Sequence, residues 1–243
     1  MNNTLKSDER LDDLELDGLA VIQSKSGYAF TSDSVMLANF VSAGHKDRVV
    51  ELCAGCGVIS LIMGYKKNPK SLTLVELQEA QADRARRSFE MNNMQAEVVC
   101  SELQGVHKQI GEYAFDVCLA NPPYRKITQD MSEVREVSLS THEVEVNLKD
   151  LVIEAEKLLK FGGRFFVVYP ASRLAELMHE LMQVKIEPKR LTLVQPKANK
   201  PAELVLMEAV KGGKHGLLIS ENIIQNDENG KPTPIMRAIY NSR

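Results

Sequence analysis

The chain lacks any run of apolar residues long enough to cross a bilayer, and its first residues, Met1 to Asp17, are charged and contain no apolar core. A membrane-spanning helix needs about 20 such residues in a row, and a secretory leader needs a shorter block of them near the start. The expected location is therefore the cytoplasm. Broad positive charge is also missing: 30 Lys and Arg stand against 33 Asp and Glu, for a net charge of −3. That excludes coating of nucleic acid by bulk electrostatics and leaves phosphate contacts to local clusters.

Metal ligands are sparse as well. The histidines at 45, 107, 142, 179 and 215 are scattered, and the only close cysteine pair is Cys53-x-x-Cys56. A structural zinc wants a second close pair, so no metal is expected. A redox reading fails because the two thiols occupy a glycine turn instead of flanking a prolyl dipeptide at a helix start. With Cys100 and Cys118 they fall on or beside apolar strands, the usual place of free buried cysteines. The 243 residues can bury one substantial core. The expected organisation is a single domain over 1–243, with an N-terminal extension (1–27), a core (28–210) and a C-terminal extension (211–243).

Against these absences, one stretch carries the most information. Phe115 to Ala120 reads as an apolar strand, and Asn121-Pro122-Pro123-Tyr124 ends it. Two consecutive prolines cannot continue a sheet, because each lacks an N–H and fixes φ. Such a stiff corner offers the Asn121 side-chain oxygen and the Pro122 carbonyl as convergent acceptors, with the Tyr124 ring as a flat face beside them. A planar –NH2 group fits that arrangement; a purely structural end to a strand is the bland alternative.

Upstream, Arg48 to Leu52 reads as a strand that runs into Cys53-Ala54-Gly55-Cys56-Gly57 and then into the helical run from Val58 to Met63. Gly55 and Gly57 let the backbone approach a ligand closely, and the helix start behind them suits a nucleotide-like cofactor. The next strand, Ser71 to Val75, ends at Glu76, about 20 residues beyond the turn, where a ribose diol is usually gripped. A helix-starting acid is the other reading of Glu76. A third strand, Ala96 to Cys100, is followed by Ser101-Glu102. All these polar groups follow strand C-termini, so the turn, Glu76, Glu102 and Asn121 should converge on one crevice.

Together these motifs resemble a class I S-adenosylmethionine-dependent methyltransferase of the Asn-Pro-Pro-Tyr amino-methylating group, over about residues 28 to 210. The family's cofactor motif has glycine where this chain has Cys53. The segment Tyr28 to Ala38, with Thr31 and Asp33, resembles the Thr-Asp segment of bacterial tRNA-valine adenine-N6 methyltransferases more than that of other subfamilies. The resemblance implies a Rossmann-like α/β fold: a doubly wound, mostly parallel seven-stranded sheet with an antiparallel final strand. It implies S-adenosyl-L-methionine as cofactor, bound by Thr31, Asp33, Glu51, Ala54, Gly55, Gly57, Glu76, Leu77, Glu102 and Asn121. It assigns Asn121, Pro122 and Tyr124 to catalysis, and Asn121, Pro122, Pro123, Tyr124 and Arg135 to substrate binding. The implied acceptor is N6 of adenine in tRNA, in the anticodon loop, with no general base required. A glutamine amide of a protein needs the same geometry and stays open, as does a non-catalytic cofactor- or RNA-binding module on the same fold.

The remaining sequence fills out the sheet. Lys149 to Lys160 has helical periodicity, and Gly162-Gly163 is expected to close that helix before the strand Arg164 to Tyr169. Ala171 to Val184 reads as a helix, and Arg190 to Val194 and Glu203 to Met207 read as two strands joined by a hairpin loop. The polar segment from Arg125 to Asn147 reads as a lid. Arg84-Ala85-Arg86-Arg87 reads as a solvated helix face in preference to an RNA contact, whereas Lys185, Lys189, Arg190, Lys197 and Lys200 flank a loop and could touch phosphates. Beyond Gly212 the periodicity fades.

Overall fold

Strands buried on both faces read as unbroken apolar runs, and the central ones here do so. The computed structural model describes residues 5–26, 30–123 and 146–241. In chain order these form β1 (Glu9–Asp13), β2 (Ala20–Ser24), α1 (Ser32–Phe40), β3 (Arg48–Leu52), α2 (Val58–Lys67), β4 (Ser71–Glu76), α3 (Glu79–Met91), β5 (Glu97–Cys100), the short α4 (His107–Ile110) and β6 (Phe115–Ala120). They continue with α5 (Leu148–Leu158), β7 (Leu159–Pro170), α6 (Leu174–Gln183), β8 (Ile186–Gln195), β9 (Leu204–Lys211), β10 (Leu218–Ile219), β11 (Ile223–Ile224) and α7 (Pro234–Asn241). Tyr124 and Arg135, and the expected lid except for its last two residues, lie outside the described residues.

The main sheet has the order β10-β8-β9-β7-β6-β3-β4-β5, with β11 also pairing β8. Strands β3 to β7 are mutually parallel, and β9 runs antiparallel between β7 and β8. The seven expected strands are therefore present, and two short ones add to them. Chain order reverses at β3, which pairs β4 on one side and β6 on the other; such a switch point opens a crevice at the strands' C-terminal ends. Side chains alternate across the sheet. Val49, Leu119 and Phe166 pack on the side of α1 and α2, while Val50, Ala120 and Phe165 pack on the side of α5 and α6. Burying each such phenylalanine contributes about 2–3 kcal/mol.

Gly162-Gly163 does not close a helix. α5 ends at Leu158 and β7 begins at once, and the glycines form an irregular stretch within it. Pairing with β6 jumps from Phe115↔Leu159 to Val117↔Arg164. Gly162, at φ +77°, supplies the left-handed turn that this bulge needs.

The arginine cluster on α3 is not a solvated face either. Glu9 of the β1–β2 hairpin is buried and accepts from Arg84 Nε at 3.2 Å and from Arg87 Nη1 at 2.8 Å. Ser88 Oγ accepts from Ile22 N at 2.9 Å, and Asn92 exchanges two bonds with Ala20. Only Arg86 remains exposed, paired with Glu79. The hydrogen bond from Arg87 holds the Glu9 carboxyl down at about 2. Its contribution is therefore full above the ordinary carboxylate range and is lost as pH falls through about 2. Glu9→Gln should cost about 1–2 kcal/mol at pH 7, read from urea unfolding, with the difference from wild type narrowing as pH falls toward 2.

The C-terminal segment is likewise fastened to the core. Gln225 Nε2 donates to Ser32 Oγ at 3.0 Å, and Asn39 Nδ2 donates to the Ile239 carbonyl at 3.1 Å. Both bonds tie the chain's end to α1.

Candidate active site

Leu52 and Ala120 are cross-strand partners, so the glycine turn after β3 and the proline corner after β6 begin side by side. In the turn, Cys53, Gly55 and Gly57 all adopt left-handed backbone, with φ of 57°, 55° and 78°. Cys53 thus takes the conformation for which glycine is suited, at a cost of about 1–2 kcal/mol. Gly57 is required for packing, because a Cβ there would lie 2.8 Å from Leu74 Cδ2 and 3.3 Å from Phe89 Cε2. Gly55 differs: a Cβ on it would meet nothing within 4 Å. The turn is packed from below and open from above, which fits a cofactor laid against its backbone.

Two carboxylates hold this turn. Glu76, at the end of β4, accepts from Gly55 N at 2.7 Å through Oε2 and from Gln78 N at 2.9 Å through Oε1. Each oxygen keeps a second lone pair for a diol. Glu51 lies deeper and is only 1% exposed. Its Oε2 accepts from Ser60 N at 3.0 Å and from the Ser60 hydroxyl, bracing the first full turn of α2. Burial pushes the Glu51 carboxyl up to about 8, against the pull of the Ser60 bonds. Ala54 is buried and donates its N–H to the Val75 carbonyl at 3.0 Å. Leu77 and Glu102 are exposed, just beyond the ends of β4 and β5.

The first turn of α1 completes the arrangement. Thr31 Oγ1 donates to Asp33, and Asp33 Oδ1 accepts from Ser34 N at 2.9 Å. Ser34 Oγ then accepts from Asn121 Nδ2 at 3.1 Å. The sequence-predicted Thr31, Asp33 and Asn121 are therefore linked through Ser34, to which the sequence reading gave no role. Ser60 was missed for the same reason: an isolated serine carries no signal until its acceptor or donor is placed. Pro122 is buried and Pro123 exposed at the corner.

The thiols serve as packing groups. Burial pushes Cys53 and Cys56 up to about 12, helped at Cys53 by the nearby Glu76 and Glu51, and it raises the Cys118 thiol well above its ordinary value. Cys100 is exposed. Iodoacetamide at pH 8 should alkylate Cys100 first, with the other three reacting about 100-fold more slowly in peptide mass spectra. Prompt labelling of Cys53 would contradict this placement. Among the described residues, no group of three or more His, Cys, Asp or Glu side chains is arranged to hold a metal, and no helix is long and apolar enough to cross a membrane.

A switch-point crevice, a glycine turn latched by the acid of the next strand, and an antiparallel strand inserted between β7 and β8 define a class I methyltransferase fold. A structure from Agrobacterium tumefaciens described as a predicted O-methyltransferase matches with a TM-score of 0.69 at 20% identity, over 86% of this chain and 95% of that one. A Pyrococcus furiosus methyltransferase matches with a TM-score of 0.61 at 22% identity, over 82% and 91%. The methyltransferase small domain family matches residues 24–187, and the chain belongs to that family. It is a methyltransferase. Relatives named tRNA1(Val) (adenine(37)-N6)-methyltransferase include one from Dyadobacter fermentans, 23% identical over 64% of this chain and 65% of that protein. Another, from Erwinia tasmaniensis, is 25% identical over 72% of each.

Proposed function

We propose that this enzyme methylates the exocyclic N6 amine of adenine in tRNA, in the anticodon loop. The observation that carries the reading is the pairing of two turns on β3 and β6: an open glycine cradle, and beside it a corner whose Asn121 donor is already occupied by Ser34. With Nδ2 engaged, Asn121 presents Oδ1 as an acceptor, and Pro122 adds its carbonyl. S-adenosylmethionine, when bound, supplies a methyl group on a positively charged sulfur.

The cradle around Gly55, with Glu76 as ribose acceptor and Thr31, Asp33, Ala54, Leu77 and Glu102 around it, orients that group. Glu51 and Gly57 support it from beneath. An adenine amine is a poor nucleophile because its lone pair is delocalised into the ring. Two acceptors on its N–H bonds, Asn121 Oδ1 and Pro122 O, fix the nitrogen for in-line transfer and favour the positive charge that develops on it. The proton then leaves to water, so no general base is needed. Tyr124 is assigned to stack on the base, which must leave its neighbours to enter, and Arg135 to cover it.

Two facts favour RNA as the acceptor molecule. The relatives above are named for adenine 37 of a valine tRNA. The loop from Pro196 to Glu203 leaves β8 at the same sheet edge as Asn121, because β8 is parallel to β7, and it carries Lys197 and Lys200. Lys185 and Lys189 fall toward the opposite edge, so the lysines grouped by sequence divide between two ends of the sheet. Lys197 and Lys200 are the pair suited to phosphate contact.

Glu76→Ala should weaken cofactor binding about 10- to 100-fold in titration calorimetry, since a charge-assisted hydrogen bond contributes about 1.5–3 kcal/mol. Unchanged affinity would remove Glu76 from the cradle. The function itself is tested with labelled methyl donor and three acceptors: a valine tRNA transcript with adenine at position 37, the same transcript with guanine there, and a purified release factor. N6-methyladenosine from the first alone is expected. Label on the release factor alone would move the reaction to a glutamine amide, and cofactor binding without transfer to any acceptor would favour a binding module.

A further inference from the structure

We infer that Ser34 is a positioning residue that holds the Asn121 amide in place, with its Oδ1 toward the acceptor amine; the inference rests on the amine-holding reading of Asn121. The two ends of an asparagine amide are close in shape and opposite in hydrogen-bonding sense. Rotated one way, Asn121 offers an oxygen that accepts from an incoming –NH2. Rotated the other way, it opposes that group with a second donor. The two prolines do not anchor the amide, since Pro122 and Pro123 have no N–H with which to engage its oxygen.

Ser34 holds the side chain in the first arrangement by accepting from Nδ2 at 3.1 Å. The serine is only 5% exposed, so little water competes for the bond. Ser34 is itself held from several directions. Its N–H lies 2.9 Å from Asp33 Oδ1 and 3.1 Å from the Thr31 carbonyl. Two residues earlier, Ser32 Oγ accepts from Gln225 Nε2 at 3.0 Å, which pins the start of α1 to the C-terminal segment. A side chain at the end of β6 is thereby held from α1, 87 residues away in sequence, and α1 is in turn held by the C-terminal segment.

Ser34→Ala and Ser34→Thr test this, by two independent readouts. The first needs no acceptor: side-chain amide resonances of Asn121, assigned in 15N-labelled protein by their loss in Asn121→Ala. Their hydrogen exchange should be about 10-fold faster in Ser34→Ala and near wild type in Ser34→Thr. The second is steady-state methylation of the valine tRNA transcript. There Ser34→Ala should lower kcat about 10-fold while KM for the RNA, the affinity for S-adenosylmethionine and the melting temperature change little, and Ser34→Thr should restore kcat. In an Asn121→Ala background, the serine substitution should have no further effect.

Unchanged amide exchange in Ser34→Ala overturns the inference, as does a wild-type kcat when Asn121→Ala is inactive. A fall in cofactor affinity and melting temperature together with kcat would overturn it too, reducing Ser34 to a support of α1. Full activity of Asn121→Ala would overturn the amine-holding reading and this inference with it. Failure of the wild-type protein to methylate the transcript would remove only the proposed acceptor, and the amide-exchange readout would still decide the role of Ser34.

Discussion

Asn121→Ala is expected to lower the methyl-transfer rate by about 10²- to 10³-fold, the loss typical when one preorganised group facing developing charge is removed. Cofactor affinity should change far less, within about fivefold, because the cradle is built mainly on the β3 turn and Glu76. On the proposed reading, the alanine leaves the Pro122 carbonyl as the one proposed acceptor for the amine among the described residues, and a single hydrogen bond does not define its direction. Asn121→Asp separates geometry from chemistry. Its carboxylate still accepts from the amine, and the Ser34 hydroxyl can rotate to donate to it, so that variant should retain more activity than the alanine. Single-turnover rates at saturating cofactor make the comparison. An alanine variant within threefold of wild type would show that the corner does not hold the reacting nitrogen.

The second large effect concerns Glu51. Its carboxyl is pushed up to about 8 in the folded protein, against 4.5 ordinarily, because it is buried beneath the glycine turn. Between those two values the folded protein keeps a proton that the unfolded chain releases. Stability from this group is therefore full below about pH 4.5 and declines as pH rises through 8. At about 1.4 kcal/mol per unit, the whole shift is worth at most about 5 kcal/mol. Glu51→Gln keeps an acceptor for the two Ser60 donors and cannot ionise. The stability of wild type minus that of Glu51→Gln should fall by about 2–4 kcal/mol between pH 5 and pH 9, in urea unfolding at each pH. A flat difference would mean that Glu51 is ionised in the folded state throughout this range. Subtracting the variant removes the histidines and other carboxylates, which titrate in both proteins.

Which parts of this architecture can be read from sequence follows from how local each signal is. The strands β3, β4 and β6 are apolar runs because both their faces are covered, and glycine or proline marks where each turn begins. The ordering of polar groups at strand ends then places Gly55, Glu76 and Asn121 on one edge before any contact is known. Helix α5 is legible from its apolar spacing, but its end is not. Gly162-Gly163 looks like a helix stop, and only the pairing of β7 with β6 shows that the helix has already ended at Leu158.

What stays hidden depends on partners distant in the chain. Arg84 and Arg87 look like a solvated face until Glu9, 75 and 78 residues away, is placed against them. The C-terminal segment is polar and short of periodicity, yet it docks because Gln225 meets Ser32, 193 residues away. Ser34 and Ser60 belong to the same category. Each is one hydroxyl whose meaning comes wholly from the Asn121 or Glu51 group opposite it. Cys53 is the converse case. It departs from the glycine expected there, and the structure keeps the glycine conformation with a thiol in it, so the turn survives the substitution.

The most direct test of the account is a crystal structure of the protein with S-adenosylhomocysteine and a valine tRNA anticodon stem-loop carrying adenine at position 37. The account predicts an unstacked adenine with its N6 amine about 3 Å from both Asn121 Oδ1 and the Pro122 carbonyl, and the cofactor ribose on Glu76. An adenine held elsewhere with the corner facing solvent, or a cofactor that bypasses the Gly55 turn, would contradict it.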